Sequence, residues 1–129
     1  MKNNFNVFGD VVGNELTLKA LLAKMPQDAE ALCLGDPNDR GPRSKQVIEF
    51  LMQNGRTVFS NHTHMFTEEW KQSAMPGAYP RYYDSNIFFG NGGEYTMKSY
   101  ADSPVWRAKE NFFNWIKRVY NFNFGENYG

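Results

Sequence analysis

Three short polar clusters in this 129-residue chain hold side chains that bind hard cations or phosphate: Asp10, then Asp36, Asp39 and Arg40, then Asn61 and His62. Each cluster follows an apolar run, and Asp10, Asp36 and Asn61 are separated by 26 and 25 positions. Carboxylate and amide oxygens suit Mg²⁺, Mn²⁺ or Fe²⁺, and a shared carboxylate can hold two such ions about 3.5–4 Å apart. Asp36, in the middle cluster, is the natural bridging candidate. Arg40 offers a planar fork of donors to phosphate oxygens. His62 is suited to protonate a leaving alkoxide if a carboxylate such as Asp39 fixes its tautomer and raises its pKa.

Such residues meet only if the elements between them bring the clusters to one place. Phe5 to Phe8 reads as a strand ending at Gly9-Asp10, followed by a helix capped near Asn14 that stops before Pro26. Glu30 to Leu34 reads as a second strand cut by Gly35-Asp36. Pro42 to Asn54 reads as a second helix with Val47, Ile48, Leu51 and Met52 on one face. Gly55 is expected to stop that helix, and Arg56 to Phe59 to form a third strand that breaks into a loop at Ser60-Asn61-His62. Strands alternating with helices imply a parallel sheet with right-handed crossovers, whose ligands bind beyond the strands' carboxyl ends. All three clusters lie at those ends.

The remainder reads differently. A helix is expected to start over Phe66–Ser73, and Met75 to Gly93 is loop-rich, with Pro76, Gly77, Pro80 and the Gly90-Asn91-Gly92-Gly93 cluster capping or lining something. Ser103-Pro104 begins a long helix in which Val105, Ala108, Phe112, Ile116 and Val119 bury one face. Trp106, Phe113, Trp115 and Tyr120 are left as additional aromatic surface. The tail from Asn121 to Gly129 alternates aromatic with polar residues, as a frayed end or an unpartnered strand does.

Gly9-Asp10-Val11-Val12-Gly13, Gly35-Asp36-Pro37-Asn38-Asp39-Arg40-Gly41 and Ser60-Asn61-His62-Thr63 together resemble the GDxHG, GDxxDRG and GNHE motifs of calcineurin-like metallophosphoesterases. The resemblance is to the compact bacterial and phage branch of serine/threonine phosphatases and diadenosine tetraphosphatase-like enzymes. It extends more weakly through Asn91-Gly92-Gly93. It implies an α/β fold in which a β-α-β-α-β parallel sheet, as in the N-terminal half of that family, precedes a mainly helical C-terminal segment. Residues 1–129 would form a single domain that is incomplete against the family. The resemblance assigns Asp10 to a first metal, Asp36 to a bridge and Asn61 to a second metal. It makes His62 with Asp39 the acid dyad and Arg40 the phosphate ligand, with a weakly bound dinuclear Mn²⁺, Fe²⁺ or Mg²⁺ centre as cofactor.

Departures from the motifs limit the expected activity. Val12 stands where the family has a metal-binding histidine, and Ser60 and Thr63 replace a glycine and an acid. Phe59 stands where some relatives carry a phosphate-binding arginine. The only histidines are His62 and His64, so the family's later histidine ligands have no counterpart, and His64 as a neighbour of His62 is expected to point away from it. The expectation is a metal-dependent phosphoester hydrolase-like protein, weak or inactive as this chain alone. The alternatives are a non-catalytic relative that binds phosphate or protein, and a fragment completed by a second polypeptide or by self-association.

The resemblance implies a phosphorylated ligand as partner, and composition argues against nucleic acid. Lys and Arg total 14 and so do Asp and Glu, which removes the bulk attraction of a nucleic-acid-binding domain. The aromatic residues of the C-terminal half are therefore expected in a core or a partner interface, not as a base-stacking platform. No apolar run reaches the roughly 18 residues of a membrane helix, and no export signal is evident, so a cytoplasmic location is expected. The single cysteine, Cys33, lies in an apolar run and reads as a small buried side chain.

Overall fold

Alternating burial sets the sheet. In a computed structural model, which describes residues 4–74, 85–101 and 105–123, strands β1 (Phe5–Phe8) and β2 (Glu30–Cys33) bury every second residue. β3 (Gly55–Thr57) completes a three-stranded sheet of order β1-β2-β3. Both pairings are parallel, with Phe8 opposite Cys33 and Cys33 opposite Thr57. Asn6, Phe8, Ala31, Cys33 and Thr57 thus share the covered face.

Helices α1 (Glu15–Ala23) and α2 (Ser44–Asn54) connect the strands. Val47, Ile48 and Leu51 of α2 are fully buried and join Leu18 of α1 against the sheet. Each such side chain contributes about 1.5–3 kcal/mol by leaving water. Asn14 caps α1 by position only, because its side chain makes no capping hydrogen bond. Gly55 is both the cap of α2 and the first residue of β3, so helix passes directly into strand. A Cβ at Gly55 would lie 2.7 Å from the Ala31 carbonyl oxygen, which makes this close pairing with β2 possible only for glycine.

An ion pair fastens the two helices at their starts. Arg43 Nε donates to Glu15 Oε1 at 2.5 Å, and Lys19 lies 3.1 Å from Glu15 Oε2. Burial pushes the Glu15 carboxyl up, but its bonds to Arg43 and Lys19 and their charges outweigh this and hold it below the usual glutamate range. A lowered carboxylate contributes stability above its ordinary pKa and loses it as the pH falls through the folded value. Glu15→Gln is expected to cost about 1 kcal/mol at neutral pH and to remove that acid-sensitive part of stability. Urea unfolding at neutral and acidic pH measures both effects.

The third helix, α3 (Asn61–Ala74), begins five residues before the expected Phe66, so Asn61 and His62 occupy its first turn and not a loop. The Ser60 carbonyl accepts the His64 N–H at 2.8 Å and starts the helix. The stretch from Ser85 to Gly93, expected as loop, is a short helix α4 (Ser85–Phe88) running into a kinked turn, Phe89–Gly93. Helices α5 (Glu94–Ser99) and α6 (Val105–Asn123) follow. Residues 121–123 continue α6, which corrects the reading of an alternating segment there.

The helical half packs on aromatic rings. Phe66 of α3 is fully buried, with ring centroids 4.4 Å from Trp70, 4.7 Å from Phe112 and 5.8 Å from Tyr100. Phe112 and Ile116 are buried as expected, and Ala108 is half-buried. Trp115, expected on the surface, is also buried, because it lies three positions beyond Phe112 on the same face of α6. The packing expected of Val105, Trp106, Val119 and Tyr120, the helix start at Ser103-Pro104, Pro76, Gly77, Pro80 and the tail beyond Asn123 lie outside the described residues.

The fold is α/β, with a small parallel sheet followed by a mainly helical remainder. Among the described residues no helix is long and apolar enough to cross a membrane. Among the described residues the other face of the sheet is only partly covered: Phe5 and Val7 are 40% and 46% exposed, and Leu34, just past β2, 55%. Arg56 spans this face between Glu30 Oε1, at 3.0 Å, and the Phe5 ring, at 5.9 Å.

Candidate functional site

Backbone hydrogen bonds stitch the first two loops together beyond the strand ends. Val11 and Val12 N–H both donate to the Asp36 carbonyl, at 3.2 and 3.0 Å, and Gly13 N–H donates to the Pro37 carbonyl at 2.9 Å. In return Gly41 N–H donates to the Val12 carbonyl at 2.8 Å. The third cluster joins through Asp36, whose N–H donates to Ser60 Oγ at 2.7 Å and whose Oδ1 accepts the His62 N–H at 3.2 Å. Asp36 is therefore the centre of the three clusters, as its place in the middle loop suggests.

These loops concentrate backbone strain. Val12, Asp36, Asp39 and Arg40, at φ of 45°, 50°, 75° and 70°, are the described non-glycine residues in left-handed backbone. Left-handed backbone costs a β-branched residue such as Val12 on the order of 1–2 kcal/mol, and such strain gathers at functional sites.

The closest functional pair is His62 and Asp39. His62 Nδ1 lies 2.7 Å from Asp39 Oδ2, and both residues are buried. An ionised carboxylate only accepts, so an ionised Asp39 places the proton of this contact on Nδ1 and leaves Nε2 as the outer ring nitrogen. Asp39 Oδ1 accepts from Thr96 Oγ1 at 2.5 Å and from Asn38 Nδ2 at 2.9 Å. Burial pushes the Asp39 carboxyl above its ordinary value, against the hydrogen bonds from Thr96, His62 and Asn38 and the charge of His62, which pull it down. Thr96 carries no signal in the sequence, since a threonine inside a helix looks like any other.

Arg40 is exposed beside this pair and, among the described residues, enters no salt bridge, whereas Arg43 is held by Glu15. The glycine cluster explains its position. Arg40 N–H donates to the Gly92 carbonyl at 3.0 Å, and a Cβ at Gly92 would lie 2.8 Å from that same nitrogen. Gly92 also has φ of 91°. Gly92→Ala is expected to cost more than about 1 kcal/mol and to displace the Arg40 backbone. Thermal unfolding and the shift of the Arg40 amide resonance measure the two effects.

Asp10 follows β1 and is exposed, as is Asn61 at the first position of α3. His64 is exposed and its ring meets that of Phe59 edge-on, 6.0 Å between centroids, whereas His62 is buried. Asp10, Asp36 and Asn61 offer hard oxygens, yet among the described residues no three His, Cys, Asp or Glu side chains group closely enough to hold a metal. Asp36 Oδ1 is also engaged by the His62 N–H. The described residues fall short of the ligand set of the two-metal centre that the resemblance implies. Cys33 lies beneath the loops with Sγ 3.1 Å from the Gly35 carbonyl, and burial, with Asp10 and Asp36 adding, pushes its thiol up. It is inert packing.

A cavity of about 220 Å³ lies beside Asp10, lined by Val11, Asn14, Thr17 and Leu21 among others. A larger cleft, about 850 Å³, opens at the opposite end of the sheet near Asn6, Glu30 and Gly55. Size alone favours that cleft, but the buried acid–base pair and the strained loops lie at the carboxyl end, where open parallel sheets bind ligands. No family model, curated protein or solved structure matches this chain.

Proposed function

We propose that the chain is a degenerate relative of calcineurin-like metallophosphoesterases that binds phosphoryl groups at the carboxyl edge of its sheet and hydrolyses phosphoesters weakly by itself. The observation that supports this reading is the buried Asp39–His62 contact at 2.7 Å, made by residues 23 apart, one in the Asp36 loop and the other in the first turn of α3, where its N–H bonds Asp36 Oδ1. Arg40 holds phosphate oxygens. With His62 in its doubly protonated form, Nε2–H gives its proton to the leaving-group oxygen as the P–O bond breaks and water attacks phosphorus, the water's proton passing to solvent. Asp39 accepts the Nδ1–H throughout, and His62 is left neutral. A positioned acid of this kind contributes about 10²–10⁴-fold. The oxygens of Asp10, Asp36 and Asn61 are expected to bind Mn²⁺, Fe²⁺ or Mg²⁺ only weakly. The reading includes a cytoplasmic location.

Turnover of p-nitrophenyl phosphate by the purified chain, with and without Mn²⁺, tests the proposal. Rates indistinguishable from Asp36→Asn and His62→Ala controls exclude hydrolysis. Phosphate affinity that survives in those controls and is lost in Arg40→Ala instead supports a non-catalytic phosphate-binding relative.

The open sheet face favours a second reading, in which a second polypeptide or another copy of the chain completes the domain. All-parallel sheets are almost always covered on both faces, and Phe5, Val7 and Leu34 are not. A monodisperse monomer by light scattering that binds no hydrophobic dye excludes it.

A further inference from the structure

Thr96 is fully buried on α5, 57 residues from Asp39, and its hydroxyl contacts that residue twice. It donates to Asp39 Oδ1 at 2.5 Å and accepts the Asp39 backbone N–H at 2.8 Å. A hydroxyl has one proton and two lone pairs, so one side chain makes both bonds at once. The first bond sets the rotation of the carboxylate, and the second holds its left-handed backbone, φ 75°. With Thr96 and Asn38 both on Oδ1, the other oxygen, Oδ2, faces His62.

The helix carrying Thr96 is itself fastened. Ser99 Oγ accepts the Lys45 N–H at 3.0 Å and donates to the Thr96 carbonyl at 2.6 Å, which pins α5 to the start of α2. Ser44 Oγ is the contrast: it accepts the same Asp39 N–H at 3.0 Å and lies 3.1 Å from Thr96 Oγ1, but does not reach the carboxylate.

We propose that Thr96 is a positioning residue for the Asp39–His62 pair: by orienting the carboxylate it fixes which ring nitrogen of neutral His62 carries the proton. Without the hydroxyl, Oδ1 loses one of its two side-chain donors inside the protein, and the carboxylate has a reason to turn toward a new partner. The inference rests on the reading of Asp39 and His62 as the acid dyad, and the tautomer of His62 can be measured whether or not the chain turns over any substrate.

Nitrogen NMR of the ¹⁵N-labelled full chain at about pH 8.5, well above the ordinary histidine pKa, reads that tautomer directly. The wild type is expected to show the Nδ1–H form. Thr96→Val should give a mixture with the Nε2–H form, Thr96→Ser should restore the wild-type state, and Ser44→Ala should leave it unchanged. A folded Thr96→Val that keeps the Nδ1–H form overturns the proposal, as does a Ser44→Ala that shifts it equally. If Thr96→Val does not fold, the wild type decides: a Thr96 hydroxyl proton protected from exchange and close to the Asp39 amide supports the proposal, and its absence overturns it. Absence of phosphatase activity overturns the hydrolase reading and leaves the tautomer result standing. Where turnover is found, Thr96→Val should lower kcat on the order of 10–100-fold with KM little changed, and Thr96→Ser should recover most of it.

Discussion

Asp39→Asn is expected to raise the melting temperature at neutral pH while removing about 10²–10⁴-fold of any hydrolysis the chain performs. The two effects share one cause. Asp39 is fully buried, and burial holds its carboxyl above the ordinary value. The folded chain therefore binds that proton more tightly than the unfolded chain does, and keeping the group ionised costs stability once the pH exceeds the folded value. Below the ordinary aspartate value the carboxyl is protonated in both states and the cost disappears. Asparagine carries no such cost. Its Oδ1 still accepts from Thr96 and Asn38, and its amide donates to His62 Nδ1, forcing the opposite tautomer. The gain in stability should be full at neutral pH and fade on acidification. Thermal unfolding across that range checks the sign, and a variant less stable than wild type at neutral pH contradicts it.

Phe66→Ala is expected to cost about 3–5 kcal/mol, a large share of the roughly 5–15 kcal/mol available to a domain. Phe66 stacks in parallel with Phe88 at 5.9 Å and meets the rings of Trp70, Tyr100 and Phe112, so it ties α3 to α4, α5 and α6. Its loss also reaches the site, because His62 lies one turn earlier on α3 and Thr96 sits on α5. Leu16→Ala, at a side chain 72% exposed, should change stability by less than about 0.5 kcal/mol. Urea unfolding of both variants separates a role in the core from general sensitivity.

The first half of the chain is legible because its signals are local. Gly9-Asp10 and Gly35-Asp36 end apolar runs, Pro26 stops one helix, and the spacing of Val47, Ile48 and Leu51 places another; β1, β2, α1 and α2 fall within two residues of those expectations. The meeting of Asp36, Asp39 and His62 follows from the same rhythm. The start of α3 is obscured because Ser60-Asn61-His62-Thr63 carries residues equally suited to a turn and to a helix start. Gly92 looks like loop because its real constraint, the approach of Arg40, lies some 50 positions away. Thr96 is silent for the same reason, since its partner is set by tertiary packing. Trp115 falls outside the stripe through Phe112 and Ile116 that the helical spacing marks, yet it is buried because the aromatic cluster takes a wider face of α6.

The left-handed backbone of the two loops also bears on how this protein would respond to laboratory evolution. Selection for heat survival alone rewards glycine or asparagine at positions 12, 36, 39 and 40, and so strips out the carboxylates and the guanidinium together. Selection for retained ligand leaves only position 12 free to change. Val12 is where robustness can be gained without sacrificing chemistry, and randomising it separates the two pressures on a single codon.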